Sequence, residues 1–328
     1  MTPEITTELA HRSERVGSYA GAAITRARSA HRRAWVASVI VVPFLFLALR
    51  EAEGEVPVGV EASAPHTPAA SFPLQLNRRV EVWVQRFRGD QWPEFKTLLE
   101  KKAIYERLIV DRLQRRGLPE ELVYLAMMEG GFSPRAVSSA SAVGLWQFMG
   151  PTAKQYGLRL DAWVDERRDP VRSTEAALDY LEWLHDRYGS WYLAAAAYNT
   201  GPGRLDRVLR RHGGERAGDD SLYWEILDHL PLETRDYVPR LVAATLVGDQ
   251  AERSGVEIPA ADPYRYEIVF VPGGTSLTRI ARAIDVELRT LAALNPHLIR
   301  GVTPPREAGA VRVPPGTSPR VVASLAMR

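Results

Sequence analysis

From residue 77 onward apolar side chains return at three- and four-residue intervals, with Val80, Trp83, Val84 and Phe87 on one helical face. The same period runs through "LPEELVYLAMMEGGF". There Pro119 suits a first helical position, Glu120 and Glu121 sit at the positive end of the helix dipole, and Gly130 supplies a stop. Asp169 and Pro170 open another helix as an N-cap and first-turn pair; Ala177, Leu181, Leu184 and Tyr188 repeat along it, and Gly189 closes it. "WYLAAAAYNTGPG" predicts a short alanine-rich helix, and "ETRDYVPRLVAATLVGDQ" predicts one more, with Pro239 in its first turns. Strand-like alternation is nearly absent from residue 77 to residue 252, so this region is predicted to be all-α.

The period then changes. After "SGVEIPAADP", the stretch "YRYEIVFVP" alternates like a strand, "TSLTRIARAI" and "ELRTLAALNP" read as two short helices, and "GAVRVPP" reads as a second strand. Strand, helix, helix, strand in about 50 residues predicts a small α+β module. The chain as a whole is therefore expected to be mainly α.

The N-terminal end follows neither pattern. Arg12, Arg15, Arg26, Arg28, Arg32 and Arg33 precede an apolar run, "AWVASVIVVPFLFLALR", at residues 34–50. It is longer than the core of a typical signal peptide and slightly short for a transmembrane helix, so a retained anchor, a cleaved signal and a buried core helix stay open. Arginines on its N-terminal side place that end in the cytoplasm and send the remainder across. Pro65, directly after "ASA" at residues 62–64, disfavours cleavage there. Glu51, Glu53, Glu55 and Glu61 among Pro57, Pro65, Pro68 and Pro73 read as a flexible tether. The predicted organisation is a basic tail (1–33), an anchor or signal segment (34–50), a linker (51–76), a helical domain (77–252), a second linker (253–263), the α+β module (264–316) and a tail (317–328).

Composition narrows the chemistry. A net charge of +2 gives no electrostatic footprint for nucleic acid. The absence of cysteine excludes disulfides, thiolate zinc sites, a cysteine nucleophile and a lipid-modified cysteine. His185, His212, His229 and His297 are scattered without metal-ligand spacing, and neither a GxSxG elbow nor a P-loop is present, so no metal and no cofactor is expected. "RVLRRHGGER" at residues 207–216 reads as a solvated basic loop.

One carboxylate stands out. Counting back from Glu129 by helical steps gives Ala126, Leu125 and Leu122, which puts it on the apolar face. Burial there would raise its pKa and keep a proton available near neutral pH. On this stretch alone, a helix-terminal charge bending out to water is an equal alternative.

The flanking residues carry a resemblance. "EGGFSPRAVSSASAVGLWQFMGPTAKQYGL" at residues 129–158, with "AYNTGPGR" at 197–204 and the late "ETRDYV", resembles the catalytic domain of the soluble-type lytic transglycosylases, goose-lysozyme-like enzymes that cleave peptidoglycan. The likeness spans roughly residues 77–250 and is nearest the membrane-bound type D branch, in which LysM modules follow. It implies a lysozyme-like all-α fold in which Glu129 acts as general acid and then base. The β-1,4 bond between N-acetylmuramic acid and N-acetylglucosamine would break with formation of a 1,6-anhydro product. A second carboxylate at close range is missing, Asp161, Asp165 and Glu166 being the nearest downstream, which fits assistance from the substrate's acetamido group.

By family position Ser138 and Gln147 would hydrogen-bond sugar or peptide groups and Met149 would line the cleft. Tyr198 would approach the acid, Asn199 would fix a turn, and Tyr237 would belong to the same site. Read without the resemblance, Ser138 is a turn former, Gln147 and Met149 pack a short helix, and Tyr198 is core. Trp146, Trp163 and Trp191 suit either sugar stacking or a helical core. One position departs from the family: serine usually follows the catalytic glutamate, and here Gly130 does.

The C-terminal stretch resembles a LysM domain, a βααβ fold that binds peptidoglycan or chitin. Its G-D-T-L is here Gly274, Thr275, Ser276 and Leu277, its I-A is Ile280 and Ala281, its N-P is Asn295 and Pro296, and its closing I-P is Val313 and Pro314. The replaced loop residues favour the fold over tight glycan binding. The resemblance implies a monomer acting on peptidoglycan glycan strands from the periplasmic side, held at the inner membrane by the N-terminal segment, with no nucleic-acid partner. A muramidase that uses water and a non-catalytic glycan-binding scaffold are the alternatives.

Overall fold

The computed structural model describes residues 71–326 apart from 215–217, 257 and 260, so the expected anchor at 34–50 lies outside the described residues. Among the described residues no helix is long and apolar enough to cross a membrane. The helical region opens with α1 (Arg78–Arg88) and α2 (Trp92–Arg116), followed by the short α3 (Val123–Gly130) and α4 (Gly150–Gln155). Then come α5 (Pro170–Tyr188), α6 (Trp191–Thr200), α7 (Pro202–His212), α8 (Ser221–Glu225) and α9 (Leu232–Arg253).

Local chemistry sets most of these ends. Asn77 caps α1 by accepting from the amides of Arg79 and Val80 at 3.0 and 3.2 Å. Asp169 caps α5 through the amides of Val171 and Arg172 at 2.9 and 3.1 Å, and Gly189 ends that helix in the left-handed region. Ser190 caps α6. Pro239 lies inside α9 rather than in its first turns, a position that the packing of α9 on α1, α3 and α6 stabilises against the lost hydrogen bond. The buried run from Trp191 to Ala197 makes α6 the centre of the bundle, its alanines letting α5 and α9 come close.

Two stretches differ from expectation. The fold begins before residue 77: Phe72 is buried edge-on against Tyr192, with ring centroids 5.6 Å apart, and the Tyr192 hydroxyl donates to the Pro73 carbonyl at 2.7 Å. The tail beyond residue 316 forms a helix, α12 (Ser318–Ala326), whose Val321 is fully buried in the second core.

That second core belongs to the α+β module. β1 (Glu267–Val271) pairs antiparallel with β2 (Gly309–Val313), from Glu267 opposite Val313 to Val271 opposite Gly309. α10 (Leu277–Ile284) and α11 (Leu288–Leu294) connect the strands, and Val269 and Val271 point inward with Ile280, Ile284 and Leu291 while Ile268 and Phe270 face out. Asn295 joins the end of α11 to β2. Its amide donates to the carbonyls of Leu291 and Arg312 at 2.9 and 2.7 Å and accepts from the Arg312 amide at 2.8 Å.

Candidate active site

α3 is apolar and buried from Val123 to Met127, and Glu129 is its last residue but one. Gly131, not Gly130, is the stop, in the left-handed region with φ 54° and its amide donating to Met127 at 3.2 Å. Gly130 is helical and has a different task. A Cβ there would stand 2.3 Å from the carbonyl oxygen of Gly144 and 2.7 Å from that of Leu145, so the space a serine would need is filled by backbone.

That backbone belongs to a tight double turn over residues 137–148, closed by bridges from Val143 to both Val137 and Phe148. Ser138 builds it: its hydroxyl accepts from the Ala142 amide at 3.0 Å. Gln147 has φ 47°, and its side-chain amide donates to the Gly144 carbonyl at 2.9 Å. Met149, 43% exposed, leads into α4 beside this turn.

Opposite stands α9. The Tyr237 hydroxyl donates to Glu129 Oε1 at 2.5 Å. Burial pushes the Glu129 pKa up to about 7; the Tyr237 hydrogen bond pulls it back, Glu233 adds a further rise, and Arg240 opposes it. Burial, followed by the Glu129 charge, holds the Tyr237 and Tyr198 phenols well above their ordinary pKa, so both remain donors. Tyr198 donates to the Trp146 carbonyl at 2.8 Å, joining α6 to the double turn. Asn199 ties α6 to α9, its Oδ1 accepting from Thr234 at 2.8 Å and its amide reaching Glu233 at 3.4 Å.

Glu129, Tyr198 and Tyr237 thus converge, Asn199 supports them, and Gln147 and Ser138 shape the facing turn. Asp161, Asp165 and Glu166 are engaged elsewhere: Asp161 accepts from the Trp163 and Val164 amides, Asp165 pairs with Arg167, and Glu166 accepts from the Arg159 amide. Of the three tryptophans weighed for sugar stacking, Trp146 and Trp191 are buried and Trp163 is half-buried. Trp146 is fully buried with its indole N–H on Thr174, Trp191 stacks on His185, and Trp163 carries the Arg300 guanidinium at 4.6 Å. Among the described residues no group of three or more histidines and carboxylates is placed to hold a metal ion.

Sequence reasoning missed Glu233 and Arg240. Glu233 stands four residues before Tyr237 and Arg240 three after it, so helical spacing places both near the face that meets Glu129. The Arg240 guanidinium lies over Trp83 at 5.0 Å, sharing that ring with Arg86 at 4.5 Å. Two substitutions should move the Glu129 titration in opposite directions. Tyr237→Phe removes the bond that favours the carboxylate and raises the pKa, whereas Glu233→Gln removes a negative neighbour and lowers it. A pH titration of the Glu129 carboxyl by NMR or infrared difference spectroscopy checks both; equal midpoints in the two variants would contradict the assignment.

Residues 108–219 match the Transglycosylase SLT domain, and residues 266–327 match the LysM-like domain of lytic transglycosylase MltD. The helical region carries an SLT transglycosylase domain. An MltD-type LysM-like domain follows it. The chain is 33% identical over 222 residues to the membrane-bound lytic murein transglycosylase D of Escherichia coli (strain K12), covering 67% of this chain and 48% of that protein. It spans about half the length of that curated relative. It is also 41% identical over 106 residues, 32% of this chain and 51% of the other, to an Alteromonas sp. (strain M-1) protein named for tributyltin chloride resistance. Among solved structures, lytic transglycosylase Slt of Pseudomonas aeruginosa aligns at 25% identity and a TM-score of 0.36, over 48% of this chain and 25% of that one. Glu129, Gln147 and Tyr198 fall inside the SLT match, whereas Glu233, Tyr237 and Arg240 lie beyond its end, on α9.

Proposed function

We propose that this chain is a peptidoglycan lytic transglycosylase with Glu129 as its acid and base. The observation that carries the reading is a half-buried carboxyl, held by a tyrosine donor, whose pKa, pushed up to about 7 by desolvation, leaves much of it protonated at neutral pH. Such a group can donate to the glycosidic oxygen while the C1–O4 bond breaks. The substrate's acetamido oxygen supports the positive charge that develops on the sugar. The carboxylate left on Glu129 then takes the proton of the muramic 6-hydroxyl as the C1–O6 bond closes. No water is consumed, and Glu129 ends protonated again. Tyr237 orients the carboxyl throughout, and Tyr198 and Asn199 fix the wall on which the acetamido group lies. Gln147, Ser138 and Met149 form the opposing wall. The substrate is then on the periplasmic side, with the segment at 34–50 as the membrane attachment.

Glu233 supports a second reading. A carboxylate that acts on Glu129 electrostatically can also position a water, which would make the enzyme a muramidase. Digestion of purified peptidoglycan followed by mass analysis separates the two. Lytic cleavage yields 1,6-anhydro ends lighter by one water than reducing ends, and its rate should fall as pH rises through about 7, when Glu129 loses its proton. Reducing ends would establish the hydrolase, and no release at all would leave only a glycan-binding scaffold.

A further inference from the structure

A glycan-binding module carried beside a catalytic domain needs no buried chemistry between the two. Here there is a continuous path of it. The first layers are backbone: Gly130 rests against the Gly144 and Leu145 carbonyls, and Gly144, with φ 89°, rests in turn against Arg167, where a Cβ would stand 1.9 Å from the carbonyl oxygen. The Arg167 side chain fastens the same turn from outside. Its Nη1 donates to the carbonyls of Ser141 and Phe148 at 3.1 and 3.3 Å, while Nε and Nη2 hold both oxygens of Asp165 at 2.9 Å.

The next layer is shared with the LysM-like domain. Residues 163–165 lie antiparallel to residues 297–299: Val164 bridges Leu298, the Asp165 amide donates to the His297 carbonyl at 3.0 Å, and the Ile299 amide donates to the Trp163 carbonyl at 3.1 Å. Val164 is 5% exposed and packs inside the second core although it comes from the catalytic region.

Beneath this pairing Asp169, 2% exposed, receives Arg312 from β2 through two contacts of 2.8 and 2.9 Å while it caps α5. His297 stands 3.4 Å away, and its burial keeps it neutral at physiological pH, so Arg312 is the cation that balances Asp169. A separate contact runs from Arg135, in the loop that follows Glu129, to the Ala292 carbonyl of α11 at 2.9 Å.

We propose that the LysM-like domain is a fixed brace for the catalytic cleft, with Arg167 and the Asp169–Arg312 pair as positioning residues that hold the 137–148 turn against Glu129. The inference rests on the reading of the cleft as a glycan-cleaving site. It differs from a glycan-binding role in one respect: the module acts on substrates too short to reach it.

The test compares the full chain, with its LysM-like domain in place, with three variants on two substrates, a soluble muropeptide oligomer that fills only the cleft and intact sacculi. Arg167→Met removes the strap. Arg167→Lys keeps the charge, but one ammonium cannot serve two carbonyls and a bidentate carboxylate, so it should not rescue. Asp169→Asn with Arg312→Met neutralises the interdomain pair together while asparagine keeps the helix cap. We expect kcat on the short oligomer to fall roughly ten- to a hundredfold in all three, the scale of a small misplacement of catalytic groups. The alkaline limb of the pH profile should also move to lower pH, because a loosened turn admits water beside Glu129, whose other charged and phenolic neighbours, Tyr198, Glu233, Tyr237 and Arg240, are unchanged. A purely structural role would lower the unfolding temperature without moving that limb. Folded variants with parental kcat, KM and pH limb on the oligomer would overturn the brace, whatever happens on sacculi. If the double variant does not fold, the Arg167 variants decide. A parent inactive on both substrates would overturn the reading of the cleft and the brace with it, whereas an active parent with unaffected variants overturns the brace alone.

Discussion

Glu129→Gln is expected to keep the fold and lose cleavage by roughly 10²–10⁴-fold, the usual contribution of a positioned acid–base group. The amide oxygen can still accept the Tyr237 hydrogen bond, so the geometry should survive while the proton does not. Stability should respond in the opposite sense. The folded pKa of Glu129, about 7, lies above its ordinary value of 4.5, so the folded state favours the protonated acid. Its contribution is complete below the unfolded value and is lost as pH rises through about 7. Glutamine does not titrate. The stability of the variant relative to the parent should therefore increase by up to about 3 kcal/mol between pH 4 and pH 9. Paired denaturant unfolding at the two pH values measures it. A pH-independent difference would mean that the carboxyl is not desolvated, and undiminished cleavage by the variant would remove Glu129 from the chemistry. Loss of activity with a gain of stability is the pattern expected of a group held ready at some cost to the fold.

How much of this was legible in the sequence depends on distance along the chain. Caps are local, so Asp169, Gly189 and the βααβ order could be read from a few neighbouring residues. The inward face of α3 could be read from a helical wheel, but the wheel left Glu129 evenly balanced, because what fixes its environment lies on α9. Tyr237 and Glu233 reach it from more than a hundred residues away, and no period on α3 encodes them. Pro239 was expected within the first turns, where proline disrupts a helix least, yet it lies deeper and neighbours on three sides hold α9 together around it. Phe72 and Val321 each bury one side chain at the edge of a core, a signal too short for any periodicity to detect. Trp146 illustrates the converse: an aromatic residue suited to sugar stacking by type is instead sealed in the core with its N–H satisfied by Thr174. The pairing of residues 163–165 with 297–299 was hidden for the same reason. It is one bridge between regions whose contact only the tertiary fold creates.

The second large effect expected concerns the glycines. Gly144→Ala should destabilise the protein by about 3–5 kcal/mol, combining the cost of a left-handed alanine with overpacking against immobile backbone. The alternative response is that the 137–148 turn lifts away and releases the strain locally, in which case the loss of stability is smaller and cleavage fails instead. Gly130→Ser separates space from backbone conformation, since Gly130 is helical and serine has no difficulty with its φ and ψ. It meets only the Gly144 and Leu145 carbonyls, at 2.3 and 2.7 Å from its Cβ, and should cost about 1–3 kcal/mol while displacing the turn that carries Gln147. Gly117→Ala supplies the contrast: φ is 67° but nothing lies within 4 Å, so only the conformational penalty of about 1–2 kcal/mol applies. Serine at position 130 is the residue the resembling family carries, and placing it here is therefore expected to harm both the fold and the proposed cleavage. Urea midpoints for the three variants, with cleavage measured alongside, give the order Gly144→Ala above both others in lost stability, and lost activity in the two variants at the cleft but not in Gly117→Ala. A fully stable and active Gly130→Ser would mean that the turn is free to yield, and the close approach of α3, the turn and Arg167 would not be what holds the cleft in shape.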